Sequence, residues 1–202
     1  MFITMRKLSR GVGLSVLLSS CVTPIPGQDC KLAPRGRTFN AQGEYMIGVN
    51  DKLNIRVLGG ADIAGDFSVG QSGTIQLPLI GAERAAGLSE RELSKVLTER
   101  YKGFLKAPVV AVGLVGYDSY KVFITGEVRR AGVFTFQERT TLLQAVATAG
   151  GLGEFAKGTI VLHRMGSKGV NERYRCEYEQ VLRGSNSLDS FVLERGDVIH
   201  IF

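Results

Sequence analysis

Apolar residues at every second position, in runs too short to be helices, set the first constraint on this chain. Leu53, Ile55 and Val57 alternate with polar residues, and Ile199 and Ile201 do the same near the C-terminus. A strand sends successive side chains to opposite faces, so such runs build sheets with one buried face. Both runs also begin alike. Asn50-Asp51-Lys52-Leu53-Asn54-Ile55 and Gly196-Asp197-Val198-Ile199-His200-Ile201 each place a turn residue, then an aspartate, then the alternation. Aspartates at turns bond neighbouring backbone amides, so Asp51 and Asp197 are expected to hold the turns from which two strands start.

The remaining pattern repeats this style. Phe67 and Val69, then Ile75, Leu77 and Leu79, read as further strands, with turns at Gly59-Gly60 and Ser72-Gly73. In "GLSERELSKVLTERYKG", Ser89 and Glu92 form a capping box and Leu88 can staple onto Leu93. Leu93, Val96, Leu97 and Tyr101 give the helix one apolar face, and Gly103 is expected to end it. The strand "APVVAVGLV" follows. The second half opens with two strands around Ala131-Gly132, then a helix capped by Thr141 and Gln144, buried through Leu142, Leu143, Val146 and Ala149, and stopped at Gly150. "TIVLHRM", "VNERYRCEY" and "DVIHIF" close the chain as strands. Each half packs a small, mostly antiparallel sheet on one main helix, an α+β arrangement in two modules. Each is small for an independent core, so the halves are expected to pack on each other or on neighbouring subunits.

The N-terminus carries a different message. "MFITMRKLSRGVGLSVLLSSC" has a basic start, an apolar stretch from Val12 to Leu18 and small residues before Cys21, a secretory signal too short to span a bilayer. Its end, Leu18-Ser19-Ser20-Cys21, resembles a bacterial lipobox, whose cysteine is acylated and becomes the new N-terminus. Val22 follows, where enteric inner-membrane lipoproteins often have aspartate. The expectation is a signal peptide over 1–20 and lipid attachment at Cys21, with the protein anchored in the outer membrane and facing the periplasm. Residues 21–43 carry prolines and glycines without an apolar period and read as an extended tether. Two cysteines remain, Cys30 and Cys176. An oxidising periplasm allows a disulfide between them, tying the tether to the C-terminal half, and two unlinked thiols fit the spacing equally well. Neither spacing suits a metal site.

Several function classes find no support. The net charge is +6, but Arg6, Lys7 and Arg10 belong to the signal, and with those three set aside the remainder carries +3. The remaining cations form no basic stripe, so nucleic acid is not an expected partner. "GLGEFA" at 151–156 follows a helix, whereas a dinucleotide loop must follow a strand, so no cofactor is implied. The Arg195-Gly196-Asp197 tripeptide sits where a turn leads into a strand. The two histidines, His163 and His200, lie in strand patterns, and no hydrolase, zinc-protease or phosphate-loop motif is present. No catalytic, cofactor or metal residues are assigned.

These residues carry a resemblance. "YMIGVNDKLNIRVLG", then "FSVGQSGTIQLPLIGAERAAGLSERELSKVLTERYKGFLKAPVVAV", is similar to the polysaccharide biosynthesis/export domain of outer-membrane polysaccharide export lipoproteins. Asn50 stands where that pattern usually has glycine, and asparagine also tolerates turn conformations. "VFITGEVRRAGVFTFQERTTLLQAVATAGGL" resembles the soluble-ligand-binding β-grasp (SLBB) domain that follows it, with Ala131 where proline is commoner. The resemblance places the export domain at 44–116 and the β-grasp-like SLBB domain at 117–202. It implies a homo-oligomeric ring, usually of eight copies, that helps form a periplasmic conduit for capsular polysaccharide or exopolysaccharide. The implied partners are the polysaccharide chain and an inner-membrane polysaccharide co-polymerase, and the implied role is transport without covalent chemistry. Larger members carry a second SLBB domain and a C-terminal membrane helix. Because this sequence stops at Phe202, the expectation is a short form whose lipid is its membrane anchor and whose pore is completed by a separate outer-membrane β-barrel. The competing reading is a glycan-binding or scaffold lipoprotein of the export complex that does not line the path. A polysaccharide-modifying enzyme is a third reading, to be tested by hydrolase or lyase activity on the polymer.

Overall fold

A computed structural model describes residues 28–29, 38–59, 63–166, 169–182 and 191–202. The elements begin with β1 (Gln28–Asp29), and the first module then contains β2 (Lys52–Leu58), β3 (Ile63–Ser68), β4 (Thr74–Leu77), β5 (Gly81–Arg84), α1 (Glu90–Tyr101) and β6 (Val109–Gly116). The second contains β7 (Lys121–Gly126), β8 (Gly132–Thr135), α2 (Leu142–Thr148), β9 (Thr159–Met165), β10 (Asn171–Glu177), α3 (Tyr178–Leu182) and β11 (Val198–Ile201). The fold is α+β in two modules. Among the described residues, no helix is long and apolar enough to cross a membrane.

In the first module β2 lies between β3 and β6, antiparallel to both, and β4 pairs with β5 as a separate ribbon. The alternation of β2 has its physical consequence here: Leu53, Ile55 and Val57 are buried, while Lys52, Arg56 and Leu58 are exposed. Helix α1 lays Leu93, Leu97 and Tyr101 into the same core, and its capping box forms as the sequence indicates. Burying a leucine of this kind stabilises the fold by roughly 1.5–3 kcal/mol. The Tyr101 ring is fully buried and its hydroxyl still donates to the Pro78 carbonyl at 3.0 Å, so the phenol is not left unsatisfied.

Three local expectations are corrected. Val96 is exposed, because the buried stripe runs through the i, i+4 row Leu93, Leu97 and Tyr101 and does not widen to include it. Gly103 is not a left-handed cap: α1 ends at Tyr101, Lys102 is still right-handed, and Phe104 and Leu105 donate back to the Tyr101 carbonyl. Leu79 does not extend its strand. β4 stops at Leu77 before Pro78, and Leu79 turns to a φ of +67° with its side chain exposed.

The second module is one six-stranded sheet in the order β1-β10-β9-β11-β7-β8. Its inner side packs Val122, Ile124, Leu162, Ile199 and Ile201 against Leu142, Ala145 and Val146 of α2. Ala145 takes the fully buried place expected of Leu143, which is only partly buried. The sheet is mixed, because the closing strand β11 runs parallel to β7 and antiparallel to β9. Residue pairs 28–29 and 38–39, expected within the tether, pack onto this module. β1 adds a parallel edge strand beside β10, and Phe39 pairs with Tyr45 and packs against the second core. The C-terminal strand expected from "VNERYRCEY" also turns into the short helix α3 at Tyr178.

Candidate functional site

The two aspartate turns are built on one plan. In Gly48–Asp51 the Asp51 amide donates to the Gly48 carbonyl at 3.3 Å, and the Gly48 amide donates to Asp51 Oδ2 at 2.7 Å. In Glu194–Asp197 the Asp197 amide donates to the Glu194 carbonyl at 3.2 Å, and the Glu194 amide donates to Asp197 Oδ2 at 2.8 Å. The third residue of each turn has a left-handed backbone, with φ of +72° at Asn50 and +82° at Gly196. Glycine takes that conformation without penalty and asparagine is among the few other residues that tolerate it.

Both carboxylates are fully buried, so each needs donors beyond its own turn. Asp51 finds them on the segment joining the modules. Oδ1 accepts the Ser119 amide at 2.7 Å, and Oδ2 accepts the Ser119 and Tyr45 hydroxyls, each at 2.9 Å. Asp197 is met by Arg164 of β9, whose Nε and Nη2 reach its two oxygens at 2.9 and 2.6 Å. Nη2 also donates to the Val192 carbonyl at 2.9 Å. Burial pushes the Asp197 carboxyl up against the pull of Arg164, while the same pairing raises the Arg164 guanidinium in spite of its burial. Two charge-assisted bonds and the Glu194 amide answer the buried carboxylate.

The turns then dock on each other. Arg195, the second residue of its turn, donates from Nη1 to Ser119 Oγ at 3.1 Å and from Nη2 to the Met46 carbonyl. Its guanidinium lies 5.6 Å from the centre of the Tyr45 ring. The Glu194 carboxylate accepts both the amide and the hydroxyl of Thr38 at 2.6 Å, and the Arg195 amide donates to the Thr38 hydroxyl at 2.9 Å. Gly48 is required by this approach, since a β-carbon there would lie 1.8 Å from Arg195 Nη1 and 2.2 Å from Ser119 Oγ. Around the polar joint Phe39 packs edge-on to Tyr45 and Tyr120, with ring centres 5.8 and 5.6 Å apart. Burial pushes the Tyr45 phenol well above its ordinary value and Tyr120 up to about 12, so both remain protonated donors.

Between the modules this joint leaves a cleft of about 510 Å³. The first module contributes Gly48, Val49, Asn50, Arg84 and Gly87 to its lining, the second contributes Lys121, Phe123, Arg195 and Gly196, and the joining segment contributes Asp118 and Ser119. Ser119 Oγ is held by the Asp51 carboxylate, but no histidine lines the cleft to activate it. Such a lining, part apolar with a few fixed polar and cationic groups, suits binding.

The residues singled out in the sequence fall in different places. Asp51 and Asp197 anchor the joint as fully buried carboxylates. His163 and His200 lie on neighbouring strands β9 and β11 away from the cleft, where His200 shares a hydrogen bond with Thr125 at 2.9 Å. Among the described residues no group of three or more His, Cys, Asp or Glu side chains could hold a metal. Cys21 and Cys30 lie outside the described residues. Cys176 is buried on β10 and is disulfide-bonded. Arg195, Ser119 and Gly48 were not foreseen as joint residues, because their contacts span up to 157 positions. The spacing of Gly48 before Asp51 was the one local signal.

Comparison with known proteins agrees with this division. Residues 40–115 match the family described as "Polysaccharide biosynthesis/export protein", and residues 121–174 match the SLBB domain. The chain is 31% identical over 134 residues to the exopolysaccharide production protein ExoF of Rhizobium meliloti (strain 1021), covering 60% of this chain and 31% of that protein. It is 29% identical over 121 residues to the polysialic acid transport protein KpsD of Escherichia coli, covering 59% of this chain and 22% of that protein. It is 29% identical over 109 residues to the EPS I polysaccharide export outer membrane protein EpsA of Ralstonia nicotianae, covering 54% of this chain and 28% of that protein. The matched regions thus span under a third of each relative's length.

Asp51→Ala deprives four donors of their acceptor, and urea denaturation is expected to show a loss of about 3 kcal/mol or more. Ser119→Ala, which keeps the Ser119 amide, is expected to cost about 1 kcal/mol. Equal small losses for the two variants would remove Asp51 from its place at the centre of the joint.

Proposed function

We propose, from the premise that this chain belongs to the polysaccharide biosynthesis/export protein family with an SLBB domain following its export domain, that it carries capsular polysaccharide or exopolysaccharide through the periplasm toward the cell surface. The observation that carries this reading is the order of the two matched domains in one chain. The joint between them supports it. A transport subunit must hold its two domains in fixed relation while a polymer passes, and the Arg195–Ser119–Asp51 connection supplies such a fixed relation.

The working form is a lipoprotein acylated at Cys21, anchored in the outer membrane and facing the periplasm. It assembles as a homo-oligomeric ring and meets an inner-membrane polysaccharide co-polymerase. The role is transport, without covalent chemistry on the polymer. Exposed apolar side chains such as Leu79, Phe104 and Phe155 are available for contacts between copies.

The disulfide partner of Cys176 is assigned to Cys30. What supports this pairing is the parallel register of β1 on β10, with Gln28 opposite Tyr174 and Asp29 opposite Arg175, the residues next to each cysteine in the sequence. The assignment leaves the Cys21 thiol for the lipid. The bridge would pin the chain that follows the anchor onto the SLBB sheet.

Deleting the gene is expected to abolish surface polysaccharide and to leave nascent polymer in the periplasm, read by fractionation and glycan immunoblotting. Reduced synthesis with normal secretion of what is made would favour the scaffold reading instead, and unchanged surface polymer would overturn both. Peptide mapping without reductant is expected to give a Cys30–Cys176 peptide that splits on reduction and an N-terminal peptide acylated at Cys21. A bridge between Cys21 and Cys176, or an unmodified Cys21, would contradict the assignment.

A further inference from the structure

We infer that the cleft at the joint binds a carboxylate-bearing sugar unit of the transported polysaccharide, an inference that rests on the export reading above. Three cationic side chains, Arg84, Lys121 and Arg195, line the cleft against one acid, Asp118. Arg195 has both terminal nitrogens committed to the joint, so it adds positive charge to the wall without needing to move. Among the described residues Arg84 and Lys121 take part in no ion pair, and they are the cations able to meet a ligand. Lys121 is well placed, because its carbonyl accepts the Gly196 amide at 2.8 Å and fixes its backbone beside the second turn.

Phe123 supplies the other half of a sugar site. Its strand neighbours Val122 and Ile124 are fully buried, while Phe123 itself is 38% exposed and lines the cleft two residues from Lys121. A pyranose has faces of apolar C–H bonds and a polar rim, and an aromatic ring beside fixed polar groups matches both. The cleft volume of about 510 Å³ falls within the roughly 300–1,000 Å³ of ordinary ligand sites. The combination of an aromatic platform with two uncommitted cations in one lining favours an acidic sugar over a neutral one, since only an acidic sugar offers them a charge-assisted partner.

The cleft is also preformed. The two aspartate turns and the start of β7, which supply much of the lining, are held by hydrogen bonds, so a ligand does not have to order them. Binding therefore avoids much of the entropic cost that weakens recognition by loose loops.

The test uses the full-length protein and short oligosaccharides cut from the producing cell's own surface polysaccharide, as isolated and after chemical reduction of their carboxyl groups to alcohols. Titration calorimetry is expected to show binding of the acidic form, about tenfold weaker binding of the reduced form, and about tenfold losses for Lys121→Ala and Arg84→Ala, since each removes a charge-assisted contact. Phe123→Ala is expected to weaken both forms of the sugar. Arg129→Ala, an exposed arginine outside the cleft lining, should bind as the native protein does. Equal binding of acidic and reduced sugars, a polymer that proves to lack carboxylates, or equal losses at Arg129 and Lys121 would overturn the inference. Complementation of the deletion strain separates this from the export reading. If native protein restores export and the cleft variants bind and export normally, the cleft assignment fails alone. If deletion leaves export unchanged, the export reading fails, whatever the sugar titrations show.

Discussion

A carboxylate shut away from water must be ringed by donors, and that requirement at Asp51 organises this protein. The charge costs several kcal/mol to bury unless it is answered. Its four donors come from the turn it sits in, from Tyr45 before that turn and from Ser119 on the segment joining the modules. Satisfying one side chain therefore fixes where the first sheet starts and where the second module must begin. Asp197 sets the same demand at the other end and answers it within its own module through Arg164. Arg195 then ties the two solutions together.

This arrangement connects fold to function through position. The turns cannot drift, because each is closed by a carboxylate, and the cleft between them inherits their rigidity. Its walls come from both matched domains, so neither domain alone presents it. A pair of domains joined in this way offers a ligand a surface of constant shape, with Lys121 and Phe123 from one module and Arg84 from the other. The aromatic packing of Phe39 on Tyr45 and Tyr120 extends the same joint to the chain preceding the first module.

Much of this was legible in the sequence, for physical reasons that can be named. The alternation of β2 and the capping boxes of α1 and α2 are local, and local chemistry forms them as written. The paired aspartate turns were legible for the same reason, since each carboxylate was expected to bond neighbouring backbone amides and does. What failed was also physical. Val96 and Leu143 fit an apolar face by spacing, but how wide that face is depends on the partner surface. Leu79 fitted the alternation, yet Pro78 before it ends the pairing. The extended reading of residues 21–43 missed Thr38 and Phe39, because a segment without apolar period can still dock when a distant Glu194 and Tyr120 await it. The cleft was invisible, since its cations come from β5, β7 and the second turn, far apart in the chain.

The claim most open to direct test is that the Arg195 bridge makes two small modules behave as one. Scanning calorimetry on the full-length protein and on Arg195→Ala measures this. The account predicts a single cooperative transition for the native chain, and for Arg195→Ala two resolved transitions with the first at a lower temperature. Two transitions in the native protein, or a variant that melts in one step at the native temperature, would contradict it.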